Sequence, residues 1–370
     1  MDKDQRYEKI KETTLSGRYL HHKHLVPILK ELQSPCKVEE IGFSVRGLPI
    51  EKITIGHGPT KILIWSQMHG NESTTTKAVF DLLKALTRGY ENAKDILEKL
   101  SLVIIPMLNP DGALAYTRLN ANDIDLNRDA QNRTQPESMV LRSVFDEFSP
   151  DFCFNLHDQR TIYSVGSVPK PATLSFLSPA ADSNRTVTEN RLRGMNLIVA
   201  INEVLQQFIP GQIGRYNDVF NANCVGDAFQ MLGTPTILFE AGHFQGDYNR
   251  EKTRKYVFMS LWKALESVAF DPLESNREKA YTAIPENKKC FFDILVLNAH
   301  LLNSKLEVGN ALGILYKEQL QGDSIHLKPF IDRTGDLNGY FGHVKYDCAN
   351  PEDEILLKNN QEILNLINFS

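Results

Sequence analysis

The sequence predicts an α/β fold with a mixed, largely parallel central sheet flanked by helices, followed by a small β-rich C-terminal domain. Three observations lead to this prediction: short apolar runs, helical patterns between them, and a series of strand-like segments near the C-terminus. The apolar runs are rich in Ile, Val and Phe, which is typical of strands buried on both faces. These runs are Ile62–Trp65, Leu102–Ile105, Phe152–Phe154 and Thr236–Phe239.

Helices are predicted between these runs because apolar residues recur there at three- and four-residue spacing. Strands that alternate with helices favour a parallel sheet. A hairpin is predicted before the first run, since two strand-like segments, Val38–Val45 and Ile50–Ile55, meet at Arg46-Gly47. Residues 6–33 form a helical or irregular lead-in. The predicted helices are Thr75–Leu86, Ser138–Phe148, Asn190–Phe208 and Arg250–Val268.

A domain boundary is predicted in the charged segment Asp271–Lys289, which contains Pro272 and Pro285 and is typical of a linker. We therefore expect a large domain over residues 1–272 and a small β-rich domain over residues 283–370. Gly, Asn and Asp turns separate the strands predicted in the second domain, and a helix closes it. These elements are Phe291–Val296, Ala311–Tyr316, Ile325–Phe330, Tyr340–Tyr346 and the helix Glu352–Ile367.

Composition narrows the classes of protein to consider. The chain has 370 residues, of which 42% are hydrophobic and 24% charged, as in ordinary globular proteins. A net charge of -5 argues against a nucleic-acid binder. No stretch approaches the roughly 20 apolar residues of a membrane helix, and the charged N-terminus does not resemble a secretory signal. Five scattered cysteines fit a reducing compartment, so we expect a cytoplasmic protein with neither nucleic-acid nor membrane partners.

Each of the four apolar runs is followed within a few residues by a polar cluster. In open α/β sheets, ligands bind in the crevice at the carboxyl ends of the strands. Four polar clusters delivered to one edge of a sheet therefore predict an active site there. The clusters are Met68-His-Gly-Asn-Glu72, Asn109-Pro-Asp-Gly112, Asn155-Leu-His-Asp158 and Glu240-Ala-Gly-His243.

His69, Glu72 and His157 are candidate ligands of one zinc ion per chain. Catalytic zinc takes three protein ligands and leaves one position for water, and a His-x-x-Glu pair lets one segment supply two of them. The alternative is that these are surface polar residues at strand ends. Zinc lowers the pKa of its bound water to about 7, but a carboxylate must still take the proton. Glu240 is the candidate general base, because a carboxylate after Thr-Ile-Leu-Phe would be costly to desolvate without a task or a partner.

Asn127 and Arg128 are candidates for recognising a substrate carboxylate. The planar guanidinium of Arg matches a carboxylate in two parallel hydrogen bonds, which suits an exopeptidase. The alternative is a solvated surface turn. Asp227 either lines a specificity pocket or caps a helix before Ala228. His243 either contacts substrate or is structural, and the polar set Asp158-Gln-Arg160 either recognises a polar substrate or pairs within itself.

With these residues in this order, the chain resembles the funnelin zinc metallocarboxypeptidases over roughly residues 40–270. The resemblance implies a zinc carboxypeptidase-like catalytic domain within residues 1–272, with a zinc ion on His69, Glu72 and His157. It also implies roles in orientation, substrate binding and catalysis for other residues of the matching elements. The matching elements are His69-Gly-Asn-Glu72, Asn109-Pro-Asp-Gly112, Arg118, Asp125-Leu-Asn-Arg128, His157 and Glu240.

In the family, the residue that matches Asp125 holds the first histidine ligand, a device that fixes tautomer and orientation. The residue that matches Arg118 stabilises the developing oxyanion. Asn127 and Arg128 match the clamp on the terminal carboxylate, and Glu240 matches the base. The family also has a Tyr on a mobile loop about two dozen residues before the Glu. In this chain Tyr216 or Phe220 could occupy that place, and the sequence does not decide between them.

The function expected from the sequence is that of a zinc-dependent hydrolase. It would remove a C-terminal residue from a peptide with a free carboxylate, or trim a short or cell-wall-like peptide. The main alternative is an N-acyl amino-acid deacylase of the aspartoacylase and succinylglutamate desuccinylase type, which is similar in His-Gly-Asn-Glu and Asp-Leu-Asn-Arg. Asn109-Pro-Asp-Gly112 and the placement of Arg118 favour the peptidase. A binding module that lost turnover is a third class, but it has no need for Glu240.

Overall fold

A central sheet and a smaller C-terminal sheet organise the chain. The computed structural model describes residues 3–32, 34–271, 273 and 276–368. The strands in this part of the chain are β1 (Lys37–Phe43), β2 (Pro49–Gly56), β3 (Thr60–Trp65), β4 (Leu100–Ile105), β5 (Phe152–Asp158), β6 (Tyr163–Val165), β7 (Leu174–Leu177), β8 (Ile213–Arg215), β9 (Thr236–Ala241), β10 (Asn287–Lys289), β11 (Phe291–Leu297), β12 (Ala311–Gln321), β13 (Ser324–Gly335) and β14 (Phe341–Asp347). The central sheet has eight strands in the order β1-β2-β4-β3-β5-β9-β7-β8.

Helices cover both faces of the central sheet. The helices are α1 (Lys3–Ile10), α2 (His22–Glu31), α3 (Thr74–Thr87), α4 (Ala93–Lys99), α5 (Pro110–Ala115), α6 (Pro136–Phe148), α7 (Glu189–Leu205), α8 (Val225–Met231), α9 (Glu251–Phe270), α10 (Glu278–Thr282), α11 (Pro351–Asn359) and α12 (Gln361–Asn368), with 3-10 turns at Leu126–Arg128 and Ala299–Leu301. Successive side chains of a strand point to opposite faces. In β3, Ile62 and Ile64 therefore join the core that includes α3, α7 and α9, whereas Leu63 and Trp65 join the core under α6 and α8.

The predicted fold class is confirmed. Strands β4, β3, β5 and β9 are adjacent and mutually parallel, so all four apolar runs lie side by side in the sheet. The predicted N-terminal hairpin is also present, because β1 and β2 pair antiparallel. Gly47 sits in its turn with φ of +77°, a conformation that favours glycine. Strands β7 and β8 escaped prediction because each has only three or four residues, too few for a periodic signal.

The C-terminal sheet has the order β13-β12-β11-β14, in which β11 and β14 are parallel and the other pairs antiparallel. Helices α11 and α12 cover it through Leu357, Ile363 and Ile367. The prediction of one helix over Glu352–Ile367 was wrong, because the chain leaves the helical conformation at Asn360. The Asn360 side chain accepts a hydrogen bond from the Ile363 amide, which favours a new helix start there.

The segment predicted as a linker is largely structured. Pro272 lies outside the described residues, but α10 and β10 both fall within the segment. Tyr281 of α10 is fully buried, and β10 pairs antiparallel with β6. The linker prediction was therefore wrong for this part, because a buried aromatic ring and strand pairing outweigh its charged composition. The division into domains over residues 1–272 and 283–370 stays a prediction.

None of the helices that the structure describes combines the length and the apolar character needed to cross a membrane. All five cysteines are unpaired, and Cys36, Cys153 and Cys348 are buried.

A buried ion pair fastens the N-terminal segment to the helical layer. Asp81 of α3 and Arg254 of α9 are both fully buried, and the two Arg254 hydrogen bonds to the Asp81 carboxylate measure 2.6 and 2.8 Å. The Asp81 carboxylate also accepts bonds from the Tyr7 hydroxyl and the Glu12 amide, each at 2.7 Å. Because the pair is removed from water, loss of one partner leaves an uncompensated charge.

We expect the Asp81→Ala substitution to lower the free energy of unfolding by about 3–5 kcal/mol, since Arg254 would stay buried without its counter-ion. Urea unfolding followed by tryptophan fluorescence measures the loss. The control is Arg142→Ala, which removes the surface pair with Asp146 and should cost about 0.5 kcal/mol or less. A similar small loss in both variants would contradict the structural role given to Asp81.

Candidate active site

The carboxyl ends of the four parallel strands deliver side chains to one edge of the sheet. His69 and Glu72 follow β3, Asn109 follows β4, and His157 and Glu240 lie near the ends of β5 and β9. His157 and Glu240 are direct partners in the β5–β9 register. Parallel pairing is what brings these groups together, as the sequence predicted for the crevice at this edge.

Tight backbone packing holds the segment after β3. The Asn109 side chain accepts a hydrogen bond from the Gly112 amide and donates one to the Met68 carbonyl, at 2.9 and 3.1 Å. Gly70 lies so close to this turn that a Cβ atom would fall 1.9 Å from the carbonyl carbon of Gly112. Only glycine fits there. The close packing of the Gly70 backbone on the Asn109 turn therefore fixes the backbone position of the neighbouring His69.

His69, Glu72 and His157 converge on one point and are all buried. Each oxygen of the Glu72 carboxylate lies 2.8 Å from an imidazole Nδ1 atom, one from His69 and one from His157. The two Nδ1 atoms are 3.1 Å apart. Lone pairs of the two imidazoles and the carboxylate face one another at these distances. A bound cation or shared protons would offset their repulsion.

This donor set fits zinc. Two imidazole nitrogens and one glutamate are a known ligand set of catalytic zinc sites. His69 is oriented by Asp125, whose Oδ1 lies 3.0 Å from His69 Nε2. An Nε2–H donated to Asp125 leaves the Nδ1 lone pair facing the centre, as a metal ligand requires. The Asp125 carboxylate also caps the 3-10 turn by accepting a bond from the Asn127 amide at 2.9 Å.

The two carboxylates of the centre lie in different electrostatic environments. Burial opposes the charge of Glu72, but the facing imidazoles of His69 and His157 hold its carboxyl pKa below the ordinary value. Burial raises the pKa of Glu240 well above its ordinary value, and the charges of Glu72 and Asp158 add to the rise. The Oε2 atom of Glu240 is shielded from solvent and has no hydrogen-bond partner. Two carboxyl groups whose pKa values are driven apart suit different tasks, one as an anion and one as a proton carrier.

Arg118, Asn127 and Arg128 line the same cleft. The Arg118 guanidinium contacts Glu72 at 3.3 Å and Asp125 at 3.1 Å. Asn127 accepts a hydrogen bond from the Val225 amide at 3.0 Å. Arg128 donates to the Asn127 carbonyl, and no carboxylate among the described residues forms an ion pair with it. Its guanidinium is therefore available to an external anion.

Of the two aromatic candidates, Tyr216 lines the cleft and Phe220 does not. The Tyr216 ring packs edge-on against Tyr163, with ring centroids 5.5 Å apart. Burial raises the pKa of the Tyr216 hydroxyl, and the nearby charge of Glu240 adds to the effect. The structure thus brings Tyr216, and not Phe220, to the candidate site.

Asp227 lies in the cleft, whereas His243 lies outside its lining. Asp227 is not a helix cap, because α8 begins at Val225 with Cys224 at the N-cap position. Asp227 lines the cleft, and burial raises the pKa of its carboxyl to about 6. His243 does not line the cleft; its ring packs against those of Tyr248 and His343.

The cleft also contains residues that sequence reasoning missed. It has a volume of about 760 Å³ and extends from the metal-binding candidates to the C-terminal sheet. No local pattern marks the missed residues, because they come from distant segments and meet only in the folded chain. They include Arg18, Tyr248, Asp293, Tyr316, Glu318 and Leu327.

Fold and site together define an α/β protein with two histidines and one glutamate that could hold a metal ion at the carboxyl edge of its sheet. Residues 24–161 match the model of the zinc carboxypeptidase family. The resemblance predicted from the sequence is therefore confirmed. The matched residues include His69, Glu72, Asp125 and His157.

Curated relatives agree with the family match. Carboxypeptidase 2 of Trichophyton tonsurans is 30% identical over 188 residues, which is 49% of this chain and 33% of the relative. Carboxypeptidase SOL1 of Arabidopsis thaliana is 30% identical over 135 residues, which is 33% of this chain and 28% of the relative. The matching segment thus spans a third or less of these relatives' length.

Solved structures share the fold. A metallo-carboxypeptidase from Burkholderia cenocepacia aligns over 68% of both chains with a TM-score of 0.52 and 18% identity. Carboxypeptidase A from Helicoverpa armigera aligns over 73% of this chain and 80% of its own, with a TM-score of 0.50 and 16% identity. At these identities the likeness concerns the fold alone.

Proposed function

We propose that this protein is a zinc-dependent metallocarboxypeptidase that removes the C-terminal residue of a peptide. The observation that carries the proposal is the convergence of His69 Nδ1, His157 Nδ1 and the Glu72 carboxylate beside the uncommitted carboxylate of Glu240. The match of residues 24–161 to the zinc carboxypeptidase family supports it.

His69, Glu72 and His157 would hold one zinc ion per chain, with Asp125 keeping His69 in the ligating tautomer. When bound, zinc would supply Lewis-acid polarisation of a carbonyl and an acidified water. The buried position of all three side chains supports this role, because an ion surrounded by protein is screened less than one at the surface.

The chain's own residues would bind the substrate and move protons. Arg128 and Asn127 would hold the terminal carboxylate, Arg118 would face the oxygen on which negative charge develops, and Tyr216 would cover the bound residue. Glu240 would take a proton from the attacking water and pass it to the leaving nitrogen. The direct pairing of His157 with Glu240 in the β5–β9 register supports this role of Glu240, since it keeps the base beside the metal-binding candidates.

We expect purified protein to hold about one zinc per chain, and the His157→Ala substitution to remove it, because two ligands rarely retain catalytic zinc. Elemental analysis after dialysis measures the metal, and circular dichroism checks the fold. The matched control is His57→Ala, at an exposed turn before β3, which should keep full occupancy. Full zinc occupancy in His157→Ala would show that the ligand set is wrong.

The Glu240→Gln substitution should retain zinc and lower turnover by about 100- to 10,000-fold, since the shape is kept and the proton acceptor is lost. Steady-state kinetics with parallel metal analysis separates the two effects. Glu98→Gln, on the exposed face of α4, serves as control and should leave both unchanged. If Glu240→Gln keeps activity within a few-fold, Asp158 becomes the next candidate base.

The substrate carboxylate can be tested through Arg128. Lys cannot reproduce the planar fork, so Arg128→Lys should weaken free-acid peptides, and Arg128→Ala should cost about 2–5 kcal/mol in transition-state binding. Amidated peptides lack this contact and should be poor substrates that neither change affects. The expected result is therefore that the variants lose the preference for acid over amide in kcat/KM.

Arg133→Lys, in the same loop but outside the cleft, is the matched control and should preserve that preference. If the parent protein cleaves acids and amides equally well, the carboxypeptidase proposal fails. If it ignores peptides and cleaves N-acyl amino acids, the deacylase alternative takes its place.

A further inference from the structure

The C-terminal sheet forms one wall of the cleft that contains the metal-binding candidates. Tyr316 and Glu318 of β12 and Leu327 of β13 line that cleft. Glu318 and Leu327 are direct partners in the β12–β13 register, and alternation along β12 places Tyr316 on the same face of the hairpin. The hairpin thus borders the candidate active site with these three residues on one face, and Lys317 and Phe330 also line the cleft.

This face, the metal-binding candidates and Arg128 all line the same cleft, and contacts connect them. On one side, Asp125 joins His69 to the turn that carries Asn127 and Arg128. On the other side, Asp158 follows His157 and accepts a hydrogen bond from the Thr74 amide at the start of α3.

The hydroxyl of Ser73, next to Thr74, donates to the carbonyl of Arg18. The Arg18 guanidinium in turn pairs with Glu318 at 2.9 Å. This series of contacts therefore connects the metal-binding candidates to the hairpin.

The hairpin is fastened in this position. Arg18 is buried, and the Glu318 carboxylate also accepts a hydrogen bond from the Tyr116 hydroxyl. Asp293 of β11 accepts bonds from the Tyr248 hydroxyl at 3.0 Å and the Tyr316 amide at 2.8 Å. Breaking this partly buried ion pair would be costly on the Arg18 side, because the buried guanidinium would lose its counter-ion. The wall is consequently a fixed boundary of the cleft.

We propose that the β12–β13 hairpin limits the length of the substrate, so that the protein cleaves short peptides in preference to long chains. The proposal rests on the carboxypeptidase function proposed above. With the terminal carboxylate held at Arg128, the rest of the substrate extends past the metal-binding candidates toward the hairpin.

The cleft has the size of a small-ligand site. Its volume of about 760 Å³ falls within the range of about 300–1,000 Å³ for sites that enclose one small molecule. Each further residue of an extended peptide needs about 3.3–3.6 Å, so we expect a longer substrate to meet Tyr316, Glu318 and Leu327 in the cleft wall. We therefore expect the best substrates to have about two to four residues.

The test is a series of free-acid peptides of about two to eight residues with the same C-terminal pair, assayed with the zinc-loaded full chain. Two variants open the wall in different ways: Glu318→Ala removes the fastening to Arg18, and Leu327→Ala trims the face of the hairpin. The matched control is Lys328→Ala, an exposed neighbour of Leu327 that does not itself line the cleft. Zinc content and melting temperature are measured for every variant.

The expected result is a kcat/KM for the shortest peptides at least about tenfold above that for the longest, a ratio within the range that a few pocket contacts produce. Leu327→Ala and Glu318→Ala should narrow that ratio several-fold by improving long peptides, while Lys328→Ala leaves it unchanged. If Glu318→Ala loses stability, Leu327→Ala decides.

Equal cleavage of all lengths by the parent protein would overturn the length limit and leave the carboxypeptidase function standing. A length preference that Leu327→Ala does not change would overturn the role of the hairpin. If no peptide of any length is cleaved, the proposed function fails, and the length limit fails with it.

Discussion

The parallel pairing of β4, β3, β5 and β9 is the constraint on which the rest of the structure depends. Parallel strands end at the same edge of a sheet, so groups from four distant segments arrive at one place. The register is strict, because a shift of one residue would turn His157 and Glu240 to the opposite face. Cores on both faces of the sheet fix that register, since Ile62 and Ile64 pack on one side and Leu63 and Trp65 on the other.

The site built at this edge concentrates polar groups that are largely buried around His69, Glu72 and His157. Glu72 lies between two imidazoles, and Asp125 holds both His69 and Arg118. Such clusters are stable only when each charge is paired, because an unpaired buried charge is costly. Glu240 is informative because its shielded Oε2 atom has no hydrogen-bond partner, and the exposed Arg128 forms no ion pair with a carboxylate of the described residues. These two groups are the ones that the proposed reaction needs free.

The C-terminal sheet belongs to the architecture of the cleft as well as to its own core. Helices α11 and α12 cover one of its faces, while the β12–β13 hairpin presents Tyr316, Glu318 and Leu327 to the candidate site. Its attachment uses groups from both ends of the chain, since Arg18 pairs with Glu318. The family match ends at residue 161, so this wall is a feature of the chain beyond the matched segment.

The sequence by itself determined the parallel sheet and the metal-binding candidates, because continuous apolar runs and the polar residues that follow them are local signals. It left Tyr216 and Phe220 undecided, and it read Asp271–Lys289 as a linker and the last helix as unbroken. The buried Tyr281 ring overturned the linker and the conformation of Asn360 broke the helix, while the cleft contains Tyr216 and not Phe220; none of these outcomes follows from a local pattern. Only the tertiary structure placed Arg18, Asp293 and Glu318 around the cleft, since residues hundreds of positions apart meet through packing, which periodicity and spacing in a sequence do not encode.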